Sequence, residues 1–332
     1  MGLNREGLAG WFAQALGGPV SLDEPARLGG GAIQENWLVA LDGPRGREAF
    51  VLRTSAPSRV AVSLDRLQEY RVLCAAHAAG VTVPEPLGCC ADAAVIGKPF
   101  YVMRKVEGVA LGPRVVKEAG LGGDRVALAR RLAGELALVH RIDPAAAGLD
   151  FLGPPPADAA LAAIAAYRQA LDALGLARPA LEWGLRWCER HPPPGGRTAF
   201  CHRDFRTGNY MVDGAGLTAI LDWEFAGWSD PVEDLAWFCV RFWRFSAPEL
   251  EAGGIAPRAA FLDAYAAAGG RPPDPAALHW WEIMGNIRWG VIALQQCFRH
   301  LSGEEPSLEL ALIGRRTAEM ELEVLRLMET AP

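Results

Sequence analysis

The sequence predicts a bilobal α+β fold, with a small N-terminal β-sheet lobe over residues 1–107 and a larger, mainly helical C-terminal lobe over residues 108–332. Short apolar runs bounded by glycine and proline recur in the first lobe, as is typical of strands. Helical periodicity dominates the second lobe, apart from one strand–loop–hairpin pattern at residues 201–234. A chain of 332 residues is long enough to bury a core in each lobe.

The composition, with 51% hydrophobic and 22% charged residues and a net charge of −6, is that of a globular protein. Because there is no basic excess, we expect no nucleic-acid partner. The chain has no charge-free apolar run of 18 residues and no signal-peptide pattern, so we expect no membrane association and a cytoplasmic location. The seven cysteines form no C-x-x-C pair, which predicts reduced thiols rather than a zinc site.

The first lobe opens with a predicted helix over residues 3–16, for which Asn4 is the expected N-cap. A strand, a glycine turn and a second strand follow, and the turn holds Gly29, Gly30 and Gly31. Backbone N–H groups without side chains approach an anion closely, so this turn is a candidate phosphate-covering loop. The alternative is a simple turn between strands.

Arg53 is the only charged residue of the next predicted strand, residues 50–54. Glu69 lies in the middle of a predicted helix at residues 60–79, which Gly80 ends. Strands at 83–87 and 100–105 complete the lobe, and we expect backbone groups from Met103 onward to be available to an adenine ring. The alternative for Arg53 and Glu69 is an edge-strand arginine and a solvated glutamate.

The second lobe contains six predicted helices, at residues 124–142, 159–174, 179–190, 231–244, 277–301 and 308–328. His140, near the end of the first, is expected to be a packed or capping residue. The last three helices are rich in tryptophan and arginine. Tryptophans at helical spacing are typical of a core, and the alternative is a pocket that suits an acyl group or a CoA thioester better than a polycationic drug.

The stretch at residues 201–234 carries the strongest chemical signal. Asp204 and Asn209 lie at the two ends of one tight loop after a short strand, and a predicted hairpin then leads to Asp222. A hairpin brings its ends together, so Asn209 and Asp222 should converge and offer the oxygen ligands that magnesium prefers. Asp204 stays free to accept a proton from a nucleophile. This is the layout of a phosphoryl-transfer site, and the alternative is an aspartate that only caps a turn.

Three motifs carry a family resemblance: H-x-D-x-x-x-x-N, D-W-E and D-P-x-x-D-L-A. They are formed by His202, Asp204 and Asn209, then by Asp222, Trp223 and Glu224, and then by Asp230, Pro231, Asp234, Leu235 and Ala236. The chain thereby resembles the aminoglycoside phosphotransferase and choline kinase family, the small-molecule branch of the protein-kinase-like fold, over residues 20–270. The V-L-R sequence that ends at Arg53 is similar to the branch associated with acyl-CoA dehydrogenases.

The resemblance implies ATP as phosphoryl donor, Mg²⁺ as cofactor and two candidate catalytic residues, Asp204 and Arg53. Asp204 would orient or deprotonate the hydroxyl, and Asn209 with Asp222 would hold magnesium. Arg53 would contact the α- and β-phosphates and pair with Glu69. The resemblance also implies that Asp234 braces the loop that carries Asp204. The chain departs from the family at Arg53, where lysine is usual, and at Arg203, where many antibiotic kinases have glycine.

The acceptor is expected to be a small molecule, because only residues 223–233 separate Asp222 from Asp234 and no A-P-E motif follows. A protein substrate is the lesser alternative, since the chain has no platform for a peptide. Another alternative is a nucleotide-binding sensor without catalysis. Hydroxyacyl-CoA, amino-alcohol, sugar and aminoglycoside acceptors all remain open, as do ATP against GTP and the oligomeric state.

Overall fold

The computed structural model describes residues 3–29, 34–55 and 63–330. It has an N-terminal antiparallel sheet followed by a mainly helical part, which confirms the predicted α+β class. The chain divides into two compact units. The first contains the described residues up to Gly108, with Ile142–Phe151 and Thr218–Ala226, and the second contains Val109–Arg141, Leu152–Leu217 and the described residues from Gly227 onward.

The first unit is built on an antiparallel sheet with strand order β1-β3-β4-β6-β5, in which β2 also pairs with β3. Its strands are β1 Ser21–Leu22, β2 Ala26–Leu28, β3 Gln34–Gly43, β4 Gly46–Ser55, β5 Pro86–Cys90 and β6 Phe100–Arg104. The long hairpin of β3 and β4 pairs in register from Gln34 opposite Ser55 to Gly43 opposite Gly46.

Alternation along β4 decides which side chains enter the core. Phe50 and Leu52 pack into one buried cluster with Phe100 and Val102 of β6. Successive side chains of a strand point to opposite faces, so Arg53 lies on the face away from that cluster. This is how a buried arginine and an apolar core share one strand.

Two helices of the first unit begin at side-chain caps. Helix α1, Arg5–Leu16, starts at Asn4, whose side chain accepts the amide hydrogen of Gly7 at 3.2 Å, so the predicted cap is confirmed. Helix α2 spans Arg66–Ala78, so the continuous helix predicted over residues 60–79 is wrong at residues 63–65, and residues 60–62 lie outside the described residues. Asp65 forms a capping box that fixes the first turn, and residues 63–65 are not helical.

The segment between α2 and β6 also differs from the prediction. The strand expected at residues 83–87 lies at Pro86–Cys90, and a short helix α3, Ala93–Ile96, follows it. Asp92 caps α3 and Gly97 ends it with a φ of 90°, a left-handed conformation that favours glycine. Residues 97–99 therefore link the end of this helix to β6.

The second unit is mainly helical. Its helices are α4 Gly112–Lys117, α5 Arg125–Val139, α6 Ala159–Leu174, α7 Pro179–Arg190, α8 Pro231–Cys239, α9 Arg258–Ala267, α10 Pro275–Leu301, α11 Leu308–Arg315 and α12 Thr317–Glu329. The bounds of α6 and α7 match the prediction. None of the helices in the described part of the chain combines the length and the hydropathy needed to span a bilayer.

Two predicted helices are interrupted. The helix expected at residues 231–244 ends at Cys239, because Val240 adopts an extended backbone before a 3-10 turn, Arg241–Arg244. The helix expected at 308–328 divides between α11 and α12 at Arg316. The break at Val240 occurs where the sequence contains neither glycine nor proline, so local propensity does not reveal it, whereas Gly314 lies two residues before the break at Arg316.

Short strands flank the predicted catalytic loop. They are β7 Ala199–Cys201, β8 Tyr210–Val212, β9 Leu217–Ile220 and β10 Gly227–Ser229. Strand β7 pairs with β10 inside the second unit. The amide of Asp213 donates to the carbonyl of Gly216 at 3.0 Å, which closes the turn predicted between β8 and β9.

Candidate active site

The backbone of the His202-Arg203-Asp204 loop is held by one buried carboxylate. Asp234, on α8, accepts the amide hydrogens of His202 at 2.8 Å and of Arg203 at 2.7 Å. Its Oδ2 also lies 3.1 Å from Nε2 of His140. Burial opposes the charge of Asp234, but the hydrogen bond to His140 and the other nearby donors outweigh it and hold the pKa of Asp234 below its usual value.

His140 has a larger role than the sequence indicates. It ends α5, in agreement with the capping interpretation. Its two ring nitrogens also join Asp234 to the hydroxyl of Tyr265, which lies 2.8 Å from Nδ1. This buried bridge connects the ends of three helices behind the loop, and neither periodicity nor spacing predicts it.

Asp204 is fixed by three donors. The amide nitrogen of Asn209 donates to the backbone carbonyl of Asp204 at 2.9 Å and to its Oδ2 at 2.5 Å. The indole nitrogen of Trp237 donates to Oδ1 at 2.9 Å, and Nε of Arg206 donates to the same oxygen at 3.2 Å. The structure thus brings Asp204 and Asn209 together as predicted, and it adds two residues that the sequence reading missed.

Arg206 and Trp237 belong to a larger stack of tryptophan rings and guanidinium groups. The guanidinium of Arg206 lies 4.4 Å from the ring centre of Trp243, and that of Arg288 lies 4.4 Å from the ring of Trp237. The two tryptophan rings meet edge to face at 5.2 Å. The only sequence signal for Trp237 was its position three residues after Asp234, which places both on one face of α8.

In the first unit, Arg53 bridges two carboxylates. Its Nε lies 3.2 Å from Glu69, and its Nη2 donates to Oδ1 of Asp222 at 2.6 Å. Arg53 is 4% exposed. Burial would lower the pKa of its guanidinium, but the negative charges of Glu69, Asp222 and Glu224 outweigh burial and raise it. The predicted partners Arg53 and Glu69 are therefore in contact.

A second arginine ties helix α2 to the segment that carries Asp222. Arg66 lies 2.6 Å from Glu69 and 3.5 Å from Glu224, and the carbonyl of Glu224 accepts the amide hydrogen of Leu64 at 2.8 Å. Burial raises the pKa of Glu224 to about 7. Asp222 itself has a φ of 60°, and its side chain is 35% exposed.

The structure describes only some of the other residues that were predicted to contact the nucleotide. Gly29 lies in an exposed bend, and Gly30 and Gly31 fall outside the described residues. Met103 lies in β6, paired with Val51 on one side and Pro86 on the other, with its side chain buried. Nucleotide contacts at these four positions stay predictions.

With this geometry established, the family can be assigned. The sequence model of the phosphotransferase enzyme family matches residues 25–281. The chain belongs to that family. The resemblance to aminoglycoside phosphotransferases and choline kinases is thereby confirmed, and a relation to acyl-CoA dehydrogenase family members accompanies it.

Two curated relatives match part of the chain at 30% identity or more. It is 33% identical over 219 residues to acyl-CoA dehydrogenase family member 11 of Gallus gallus, which covers 64% of this chain and 28% of the relative. It is 31% identical over 182 residues to family member 10 of Mus musculus, covering 53% and 17%. The match therefore spans less than a third of either relative's length.

Solved structures share the fold. A Ralstonia eutropha protein crystallised as a candidate aminoglycoside phosphotransferase is 23% identical with a TM-score of 0.77, and 99% of each chain is covered. A choline/ethanolamine kinase family protein from Mesorhizobium loti is 21% identical with a TM-score of 0.58, covering 92% of each chain. The GDP and kanamycin complex of an APH(2″) enzyme is 18% identical with a TM-score of 0.61, covering 92% and 94%.

The loop geometry at Arg203 favours glycine. Arg203 has a φ of 61°, in the left-handed region that glycine adopts without strain. The conformation aims the amides of His202 and Arg203 at the single carboxylate of Asp234. Glycine is the unstrained residue here, and the guanidinium of Arg203 lies 3.6 Å from Glu233.

Each unit offers an oxygen atom of the kind that magnesium takes from proteins. Asn209 uses its amide nitrogen on Asp204, which leaves its carbonyl oxygen for another partner. Asp222 uses Oδ1 on Arg53, and its side chain retains solvent access. Amide and carboxylate oxygens are the ligands that a hard cation such as Mg²⁺ takes from proteins.

Proposed function

We propose that this protein transfers the γ-phosphoryl group of ATP to a hydroxyl group of a small molecule. The first unit would bind the nucleotide, and the second would supply the catalytic loop and the acceptor pocket. Membership of the phosphotransferase family supports the reaction class. The observation that carries the proposal is the Asp204 carboxylate, which three side-chain donors fix in one orientation on a braced loop.

Asp204 acts on the acceptor hydroxyl. Each oxygen of an ionised carboxylate accepts more than one hydrogen bond, so Asp204 can hold its donors and still receive the hydroxyl proton. Its donors orient it for that task. The neighbouring Arg206, whose side chain is 25% exposed, offers a cation near the hydroxyl that receives the phosphoryl group. Positioning and charge neutralisation are the main needs of phosphoryl transfer.

Arg53, Glu69 and Asp222 act on the donor. In this proposal Arg53 contacts the α- and β-phosphates while Glu69 keeps its guanidinium in place. Asn209 and Asp222 hold magnesium through the oxygens identified above. When bound, the ion neutralises phosphate charge and fixes the phosphate oxygens.

The acceptor is proposed to be neutral or anionic rather than polycationic. Two buried acidic residues of the second unit are already paired: Glu233 with Arg288 at 2.9 Å, and Glu282 with Arg258 at 2.7 Å. A polycationic drug would need several free carboxylates. The acyl-CoA dehydrogenase names of the relatives add hydroxyacyl-CoAs to the acceptors to be tested first.

A nucleotide sensor without catalysis is the second candidate, and one observation favours it. Arg53 holds Asp222 at 2.6 Å, so a proposed magnesium ligand is already engaged by a cation. A sensor, however, has no use for a carboxylate held as Asp204 is. Turnover therefore separates the two candidates.

The decisive experiment is ADP release from MgATP, measured with a coupled assay across hydroxyacyl-CoAs, choline, ethanolamine, homoserine, sugars and aminoglycosides. We expect turnover that depends on one acceptor class and is lost in Asp204→Asn, which keeps the size of the side chain. MgATP binding, measured by calorimetry, should survive in that variant. Binding without turnover for every acceptor would favour the sensor instead.

Asp222→Ala tests the metal assignment separately. It should weaken Mn²⁺ binding, followed by the paramagnetic resonance of the free ion, both with and without nucleotide. Asp213→Ala is the control, because Asp213 is an exposed turn residue of the same segment. Equal Mn²⁺ affinity in the two variants would contradict the role given to Asp222.

A further inference from the structure

We infer that Trp237 is a positioning residue for Asp204, and that helix α8 clamps the catalytic loop at two points one turn apart. Asp234 holds the backbone of the loop. Trp237 donates its indole hydrogen to Oδ1 of Asp204 at 2.9 Å and so holds the side chain. The inference rests on the proposed function, in which Asp204 meets the acceptor hydroxyl.

The Trp237 ring is itself fixed from several sides. It is 1% exposed, and the guanidinium of Arg288 lies over it at 4.4 Å. Glu233, one turn before Trp237 on α8, accepts a hydrogen bond from Arg288 at 2.9 Å. Gly285 of α10 packs beside the ring, since a Cβ there would lie 3.4 Å from the ring and 2.9 Å from Val240. The indole N–H therefore points in one direction.

The donor is more than a satisfied core group. An indole N–H donates and never accepts, so burial usually gives it a partner. In the described part of the chain, however, the buried indole nitrogens of Trp243 and Trp281 have no hydrogen-bond partner in the protein. This fold tolerates unpaired indoles. The indole N–H of Trp237, in contrast, donates to Asp204, the carboxylate proposed to act on the hydroxyl.

The two oxygens of Asp204 have separate holders. Asn209 takes Oδ2, and Trp237 takes Oδ1. Without Trp237, Oδ1 would keep only Arg206, whose side chain is partly exposed. A carboxylate whose Oδ1 is held only by this partly exposed cation at 3.2 Å can rotate toward it and away from the hydroxyl. Loss of the indole donor should therefore slow the chemical step and leave nucleotide binding intact.

The test compares Trp237→Phe with Trp281→Phe. Both changes remove an indole N–H and part of a buried ring in the second unit, since Trp281 is 2% exposed. Turnover of MgATP is measured with the acceptor that the panel identifies, or with water as the acceptor if none does. We expect kcat to fall roughly 10- to 100-fold in Trp237→Phe, the range for a hydrogen bond to a charged group. KM for MgATP should stay unchanged, and Trp281→Phe should lower kcat less than twofold, which is about 0.4 kcal/mol.

A spectroscopic measurement keeps the inference independent of turnover. The indole ¹H–¹⁵N signals of the 11 tryptophans are recorded, and the Trp237 signal is assigned by its loss in Trp237→Phe. We expect this signal to move upfield in Asp204→Ala, because its acceptor is gone, while the Trp281 signal stays in place.

The outcomes are distinguishable. The inference would be overturned by equal kcat values in the two tryptophan variants or by a raised KM alone. It would also be overturned if the Trp237 signal did not shift in Asp204→Ala. If the signal moves and the wild type never consumes ATP, the proposed function fails and the clamp on Asp204 stands. Reduced kcat with a moving signal would support both.

Discussion

Replacement of Arg53 by lysine tests the buried charge network of the first unit. The guanidinium of Arg53 reaches Glu69 with one nitrogen and Asp222 with another, at 3.2 and 2.6 Å. A lysine ammonium is a single point on a flexible stem and cannot take both positions. Arg53→Lys should therefore lose one charge-assisted contact in a buried site, which costs about 1.5–3 kcal/mol of the free energy of unfolding.

The control lies on the same strand. Arg47 of β4 also contacts two carboxylates, Asp23 and Asp42, but its side chain is 54% exposed. Ion pairs in solvent contribute little, so Arg47→Lys should change the free energy of unfolding by less than about 0.5 kcal/mol. Matching the strand and the number of partners leaves burial as the difference between the two sites.

Urea unfolding, followed by circular dichroism, measures both variants against the wild type. We expect a lower midpoint for Arg53→Lys with an unchanged slope, and no resolved shift for Arg47→Lys. Equal midpoints for the two variants would refute the claim that the Arg53 bridge stabilises the unit. A changed slope would show that the substitution alters the compactness of the folded or unfolded chain instead.

Two further predictions concern backbone strain and pH. Arg203→Gly should be about 1 kcal/mol more stable than Arg203→Ala, because the φ of 61° strains every residue except glycine; equal thermal midpoints would count against this. The pKa of Glu224 is raised from 4.5 to about 7, so the folded state binds its proton more tightly and loses stability as pH rises through that range. Glu224→Gln cannot ionise, so its free energy of unfolding should gain on the wild type by up to about 3 kcal/mol between pH 4.5 and 7, and parallel pH curves would contradict the burial argument.

The sequence predicts the parts of the site that depend on local spacing. Asp204 and Asn209 meet because five residues separate them in one loop, and strand alternation gives Arg53 a face apart from the apolar core. Asn4 caps its helix because its side chain reaches an amide three residues away. These features need only the chain's own geometry over a few residues.

The parts that it does not predict depend on how helices dock. Trp237 reaches Asp204 only because α8 lies behind the loop, and Arg288 stacks on Trp237 from α10. His140 joins Asp234 from a third helix. The break at Val240 is likewise not marked by glycine or proline.

One measurement tests the central claim most directly. MgATP and each acceptor of the panel are incubated with the protein, and ³¹P NMR follows the γ-phosphoryl group. The account predicts a new phosphomonoester signal for an acceptor alcohol with the wild type, and none with Asp204→Asn at equal MgATP occupancy. A phosphomonoester formed by Asp204→Asn at the wild-type rate would contradict it, because the carboxylate that the loop, Asn209 and Trp237 hold in place would then have no part in the transfer.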